Sequence, residues 1–342
     1  MKSTPFQLFY IYILSSAFAF ASDQNDFIDW DELQNPVYAN EDWSVKDATV
    51  TYVEETGEFY LFFSAFFWVG ERVNSHVVSV KTRDWVDFSE PLFIWGGEEL
   101  GYHGLCSPEV HFYEDRYILT YNGWGDKKGK LNQLYYAVSD DLENWEKKHQ
   151  PLGSEVTESY RAIDAALAFD HGNYYLYFKD SKPLGHLPRV DLTRVATAPS
   201  LDGPWEFVYS GNVAFMPEGS LYSEKIHENS HFQKIDGDWH MLSSGYWPHN
   251  PYLYKIGGDP SDKGNWTVWK EGRKLEIPVQ EGFNTAHQAN AAHLRDWRKY
   301  DGYFYLIYAG NTENESFWTR GNNKLGLARS KDLIEWEVPP MK

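Results

Sequence analysis

The sequence predicts an all-β fold, a five-bladed β-propeller with four antiparallel strands per blade, on three observations. A strand–turn–strand pattern recurs five times along the chain. Each copy is followed by a third strand and then by a fourth segment carrying a tryptophan. These closing tryptophans, Trp85, Trp145, Trp205, Trp266 and Trp336, fall at steps of 60, 60, 61 and 70 residues. Recurrence of a whole four-strand unit argues against a β-sandwich, the other architecture built from evenly spaced short strands.

In chain order, the first element is a leader. Lys2 precedes an apolar run from Phe6 to Ala21 that ends in Ala19-Phe20-Ala21, the small-x-small pattern read by signal peptidase. Residues 1–21 are therefore expected to be a signal peptide cleaved before Ser22, because the run is short for a membrane span and acidic residues follow at once. A secreted or periplasmic protein with no membrane association after cleavage is the expectation. Residues 22–37 read as a lead-in that closes against the ring, and residues 38–342 as one propeller without internal linkers.

The five hairpins are KDATVTYVEETGEFYLFFSA, SPEVHFYEDRYILTYNG, IDAALAFDHGNYYLYFKD, ENSHFQKIDGDWHMLSSG and HQANAAHLRDWRKYDGYFYLIYAG. In each, two segments of period-two alternation flank a turn rich in Gly, Asp or Glu, the signature of a β-hairpin. The third strands are SHVVSVKT, QLYYAVSD, TRVATAPS, YLYKIGG and LGLARSK, and the tryptophan segments complete the blades. The periodic tryptophans read as blade core.

A net charge of −19 repels nucleic acid and anionic lipid, and disfavours a strongly anionic substrate unless a local basic patch serves it. The single cysteine, Cys106, allows no internal disulfide. The chain holds 15 Trp, 24 Tyr and 21 Phe, so aromatic faces abound both for sheet interiors and for stacking on sugar rings.

The innermost strand of a propeller blade lines the central channel, and its first residues reach the funnel at one end. The residues at that point in the five copies are Asp47, Glu109, Asp164, Glu228 and His287, at steps of 62, 55, 64 and 59. All five are expected to converge on the axis. Carboxylates gathered there raise one another's pKa, a cost that points to chemistry.

The strings VKDATV, SPEVHFYEDRYILTY and IDAALAFDHGNYYLYF, then an isolated Glu before HFQKIDGDWHML and an axial His, resemble glycoside hydrolase family 43 and its five-bladed relatives, families 32, 62, 68 and 117. The resemblance spans nearly the whole chain after the leader. It implies a glycosidase acting on plant or algal cell-wall poly- or oligosaccharides with inversion. It assigns Asp47 as general base, Asp164 as the residue that tunes and orients the acid, and Glu228 as general acid. Such chemistry requires a protonated carboxyl on the leaving oxygen and an ionised one on a water across the ring, roughly 6.5–9.5 Å away. The resemblance implies no cofactor for the reaction, but a structural Ca²⁺ in the central channel, with His287 as the axial histidine that holds it or its waters. Glu109 falls in a stretch that in the family is channel wall or substrate contact. The family usually follows its acids with Pro, Pro-Ser and Gly-Pro, where this chain has Ala48, Ala165-Ala166 and Asn229-Ser230, so each acid is kept while its neighbours change.

His227-Glu228-Asn229-Ser230-His231 also spells the HExxH pattern of zinc peptidases, which works only on a helix that puts both imidazoles on one face. Asn and Ser are poor helix formers and the flanking residues alternate as a strand, so the match reads as chance. His227 is the alternate acid, because the His-Glu dipeptide resembles family 117. A non-catalytic sugar-binding propeller is the competing class. Trp43, Phe66, Trp68, Trp124, Arg161, His186, Trp247 and Arg320 lie at or just after strand ends and are the expected substrate contacts at the funnel rim.

Overall fold

The computed structural model describes residues 27–125, 129–180, 192–217, 227–245, 250–312 and 318–342. The first blade contains β1 (Ser44–Val53), β2 (Glu58–Val69), β3 (Arg72–Thr82) and β4 (Phe93–Trp95), and the second β5 (Gly104–Tyr113), β6 (Arg116–Trp124), β7 (Leu134–Ser139) and β8 (Glu146–Lys147). The third holds β9 (Ala162–Asp170), β10 (Asn173–Asp180), β11 (Leu192–Ala198) and β12 (Glu206–Tyr209). The fourth comprises β13 (Ala214–Pro217), β14 (His227–Ile235), β15 (Asp238–Gly245), β16 (Pro251–Ile256) and β17 (Val268–Lys274), and the fifth β18 (His287–Asp296), β19 (Phe304–Asn311) and β20 (Lys324–Ser330). The innermost strands touch in a closed ring: β1 meets β5, then β9, β14, β18 and β1 again. The fold is a five-bladed β-propeller.

Two blades depart from the expected four strands. In the fourth, β13 adds a parallel strand outside β17. In the fifth, the outer edge of β20 carries only two isolated bridges, Tyr38 with Leu325 and Glu337 with Arg329. Both chain ends meet at this seam. Asn35 is fully buried there; its side-chain amide donates to Gln280 Oε1 (2.9 Å) and the Leu327 carbonyl (3.1 Å), and its side-chain oxygen accepts from the Leu327 N–H (2.9 Å). Its backbone N–H donates to the Pro340 carbonyl at 2.8 Å, and its carbonyl accepts from the Lys342 N–H at 2.9 Å. Asn35→Ala would strand the Leu327 N–H and carbonyl in the interior, at roughly 1–3 kcal/mol each. The expected result is a clearly lower urea midpoint; an unchanged one would mean that the ring is held shut elsewhere.

Tight turns set the hairpin registers. Glu114-Asp115, His171-Gly172 and Asp236-Gly237 all have two successive positive φ values, the backbone that matches the twist of the flanking strands. The hydrophobic core is divided into five clusters, each between neighbouring blades, and the one joining blades one and five also takes in Ile28, Leu33 and Val37. Of the closing tryptophans, Trp85, Trp205, Trp266 and Trp336 are buried and Trp145 partly so, all within these clusters. Among the described residues no helix is long and apolar enough to cross a membrane.

Candidate active site

Every innermost strand carries a β-bulge near its start, where the register slips against the second strand. The residue in the bulge has left-handed backbone in all five blades: Asp47 (φ 55°), Ser107 (52°), Asp164 (55°), Asn229 (47°) and Ala291 (47°). Strained backbone of this kind costs about 1–3 kcal/mol per residue and gathers at functional sites, where it re-aims side chains.

The bulges replace the expected fivefold register. Asp47 and Asp164 are true equivalents, but Glu228 stands one residue before its bulge, Glu109 two after, and His287 four before. The positions just before the bulges, Lys46, Cys106, Ile163, Glu228 and Asn290, all line one open cavity of about 220 Å³, with the bulge residues Asp47, Ser107 and Asp164. Thus the three acids do share one funnel, though by two different strand positions. The small residues after the bulges, Ala48, Pro108, Ala165, Ser230 and Ala292, line a second chamber of about 20 Å³ beneath, about enough for one water.

Hydrogen bonds lock the acids in place. Ser64 Oγ donates to Asp47 Oδ2 at 2.7 Å and accepts from the Ser107 N–H at 2.8 Å, while Ser107 Oγ donates to Asp164 Oδ1 at 2.8 Å. Lys46 Nζ lies 3.2 Å from Asp47 Oδ1 and 3.4 Å from Asn229 Oδ1. Lys179 Nζ binds Glu228 Oε1 and lies 3.5 Å from Asp164 Oδ2. Burial pushes the Asp47 carboxyl above its ordinary value; Lys46 and the Ser64 bond oppose this, and the Asp164 charge adds to it. Lys46 is raised although burial works to lower it, because Asp47, Glu228 and Asp164 surround it.

The aromatic wall of the cavity consists of Phe66, Trp124 and Trp318, packed edge to face or tilted at centroid distances of 4.8–5.3 Å. Trp124 is oriented by its indole N–H, which donates to the Val73 carbonyl at 3.2 Å. Phe66, Trp124 and Arg161 are thus on the cavity as expected. Trp68 is 46 % exposed and not on its lining, Trp43 packs against the first inter-blade core, and Arg320 pairs on the surface with Asp42 at 3.4 Å. His186 and Trp247 lie outside the described residues. Lys46, Lys179, Asn122, Asn290 and Trp318 were not singled out from sequence. Trp318 was legible as an aromatic in the long last-blade loop, and Lys46 as the neighbour of Asp47.

The places expected for His227 and His287 need correcting. His227 does not face the funnel: successive strand residues point to opposite sides, so with Glu228 inward His227 turns into blade four. It is 4 % exposed, packs at a tilt against Phe215 with ring centroids 4.2 Å apart and meets the Tyr254 hydroxyl at 3.3 Å. The HExxH stretch is strand β14, as its alternation predicted, and cannot form a helical zinc site. His287 is not the axial histidine. Two residues past the bulges, Glu109, His231 and His293 meet on the axis, with Glu109 Oε1 2.5 Å from His231 Nδ1 and 3.2 Å from His293 Nε2.

Most of the about six to eight oxygen ligands that Ca²⁺ takes would have to come from water at this axial group. It brings one carboxylate and two imidazoles. Both His231 nitrogens are engaged, the second with the Leu294 carbonyl at 2.8 Å, and His293 Nε2 also meets Thr49 Oγ1 at 2.9 Å. Burial would raise the Glu109 carboxyl, but the two rings hold it well below the usual carboxylate range. Glu109 is therefore tied into the channel below the acids and is not on the cavity lining.

No protein-family model and no curated protein matches the chain by sequence. Solved structures do match. A family 43 β-xylosidase/α-arabinofuranosidase from a compost microbial metagenome, in a calcium-free complex with xylotriose, superposes with a TM-score of 0.62 at 14% identity, covering 89% of this chain and 96% of that one. A family 43 enzyme from Xanthomonas citri complexed with xylotriose gives 0.58 at 15%, covering 84% and 87%. A glycosyl hydrolase from Bacteroides ovatus gives 0.58 at 14%, covering 89% and 88%. At these identities the similarity establishes the fold.

Proposed function

We propose that the protein is a glycoside hydrolase that cleaves cell-wall poly- or oligosaccharides of plants or algae with inversion. One observation carries the reading: Asp47, Asp164 and Glu228, from three blades, line one cavity beside an aromatic wall. A sugar ring stacks its apolar face on Trp124 and Trp318, while its hydroxyls meet Lys46, Asn122, Arg161 and Asn290. Asp47 takes a proton from water as the water oxygen attacks the anomeric carbon. The bond to the leaving oxygen breaks, and Glu228 delivers its proton there, so that both products leave neutral. Asp164, linked to Glu228 through Lys179 and to Ser107, orients the acid.

The reaction as written needs no cofactor. The leader pattern at residues 1–21 supports an activity outside the cytoplasm. The fold is shared with enzymes crystallised with xylotriose, so xylo-oligosaccharides head the substrate panel.

The test is incubation with plant and algal oligosaccharides, with released sugars identified and the first product followed by NMR. Hydrolysis with inverted anomeric configuration is expected. Retention, or a trapped glycosyl-enzyme, would make Asp47 a nucleophile. Binding without turnover across the panel would identify a sugar-binding propeller instead.

A further inference from the structure

The second strands of the blades repeat a joint. Ser64, Asn122, Lys179, Ser244 and Ala309 occupy corresponding places, each paired with the residue just before its own blade's bulge: Lys46, Cys106, Ile163, Glu228 and Asn290. In three blades this residue accepts the backbone N–H of the next blade's bulge: Ser64 from Ser107, Asn122 from Asp164 (3.1 Å) and Ser244 from Ala291 (2.8 Å). A lysine cannot do this, since an ammonium has donors only. Lys179, 4 % exposed, instead reaches across the seam to the Glu228 carboxylate and back to Asp164. A buried lysine where the ring elsewhere uses a small side chain is costly, and its two carboxylate partners are the candidate acid and its modulator.

Resting on the functional reading above, we propose that Lys179 is a positioning residue: its ammonium fastens Glu228 to Asp164 across the seam of blades three and four and decides in which pH range Glu228 carries its proton. A cation in contact favours the ionised carboxylate. Burial and the neighbouring Asp164 carboxylate oppose this, so removing Lys179 lets Glu228 keep its proton to higher pH. Among the described residues, the other charged or titratable groups around the pair are Lys46 and Asp47 on β1, Cys106 on β5, Arg161 and Asp164 at the start of β9, Tyr177 on β10, His227 on β14, and His287, whose ring feels the Lys46 charge.

The experiment follows the Glu228 carboxyl by ¹³C NMR in the whole protein across pH, with the resonance assigned by its loss in Glu228→Gln. The wild-type midpoint is the reference. Lys179→Asn, which installs the side chain that blade two already uses, should raise the midpoint by more than one pH unit, and Lys179→Arg should leave it near wild type. The same midpoint in Lys179→Asn as in the wild type overturns the proposal, as does an equal rise in Lys179→Arg; Lys179→Gln, with the rise expected of Lys179→Asn, decides if that variant does not fold. On a cleaved glycan, the alkaline limb of kcat/KM should move up in Lys179→Asn by the same amount. If the wild type cleaves no glycan, the functional reading fails while the titration still decides the role of Lys179.

Discussion

Asp47→Asn is expected to abolish glycan hydrolysis, lowering kcat by about 10³-fold or more, within the range lost when a general base is removed. An amide of the same shape keeps the Ser64 bond but cannot take a proton from water. The loss should be equal on poor and good leaving groups, because water must be activated in either case. Shape is preserved, so a folded protein is expected, and a near-normal melting curve separates lost chemistry from lost structure. The pH dependence follows from the environment of Asp47. Burial raises its carboxyl, and Asp164 adds to this against Lys46 and Ser64. A base works only when ionised, so activity should fall as pH drops through this raised value, and the acid limb should lie above the usual aspartate value of about 3.9. Hydrolysis by Asp47→Asn at near wild-type rate would remove Asp47 from the mechanism.

How far the sequence disclosed this site can be traced residue by residue. Repetition of hydrophobic alternation was enough for the blade number, because every blade must bury both faces between its neighbours. The fourth blade's parallel strand escaped because Ala214–Pro217 joins the sheet through its backbone, with no repeat of its own. The site register escaped for a different reason. A bulge adds a residue to one strand, so spacing alone cannot tell the position before it from the position in it. Aligned on the bulges, the five starts read Lys46-Asp47-Ala48-Thr49, Cys106-Ser107-Pro108-Glu109, Ile163-Asp164-Ala165-Ala166, Glu228-Asn229-Ser230-His231 and Asn290-Ala291-Ala292-His293. The small third residue was the visible signal. It separates the cavity layer from the axial layer, and it moves Glu109 out of the first and His293 into the second. Lys179 gave no signal of its own, since a lysine at a strand end is ordinarily solvated. Only the seam between two blades reveals its partners.

The second large effect concerns Glu228. A group that protonates the leaving oxygen becomes dispensable when that oxygen needs no proton, as in an activated aryl glycoside. Glu228→Gln should therefore cut hydrolysis of the natural glycoside by about 10²–10⁴-fold. On an activated glycoside of the same sugar it should retain activity within about 10-fold of wild type, as leaving-group ability replaces proton donation. Restoration of turnover with leaving-group acidity is the diagnostic, so a series of aryl glycosides should give a steeper dependence on leaving-group pKa in the variant than in the wild type. His227→Ala provides the contrast. His227 packs on Phe215 and Tyr254 within blade four, away from the cavity lining, so its loss should act through packing and lower activity on both substrate types alike. Rescue by a good leaving group in His227→Ala, and its absence in Glu228→Gln, would reverse the two roles. It would also require β14 to turn in the substrate complex so that the imidazole reaches the funnel.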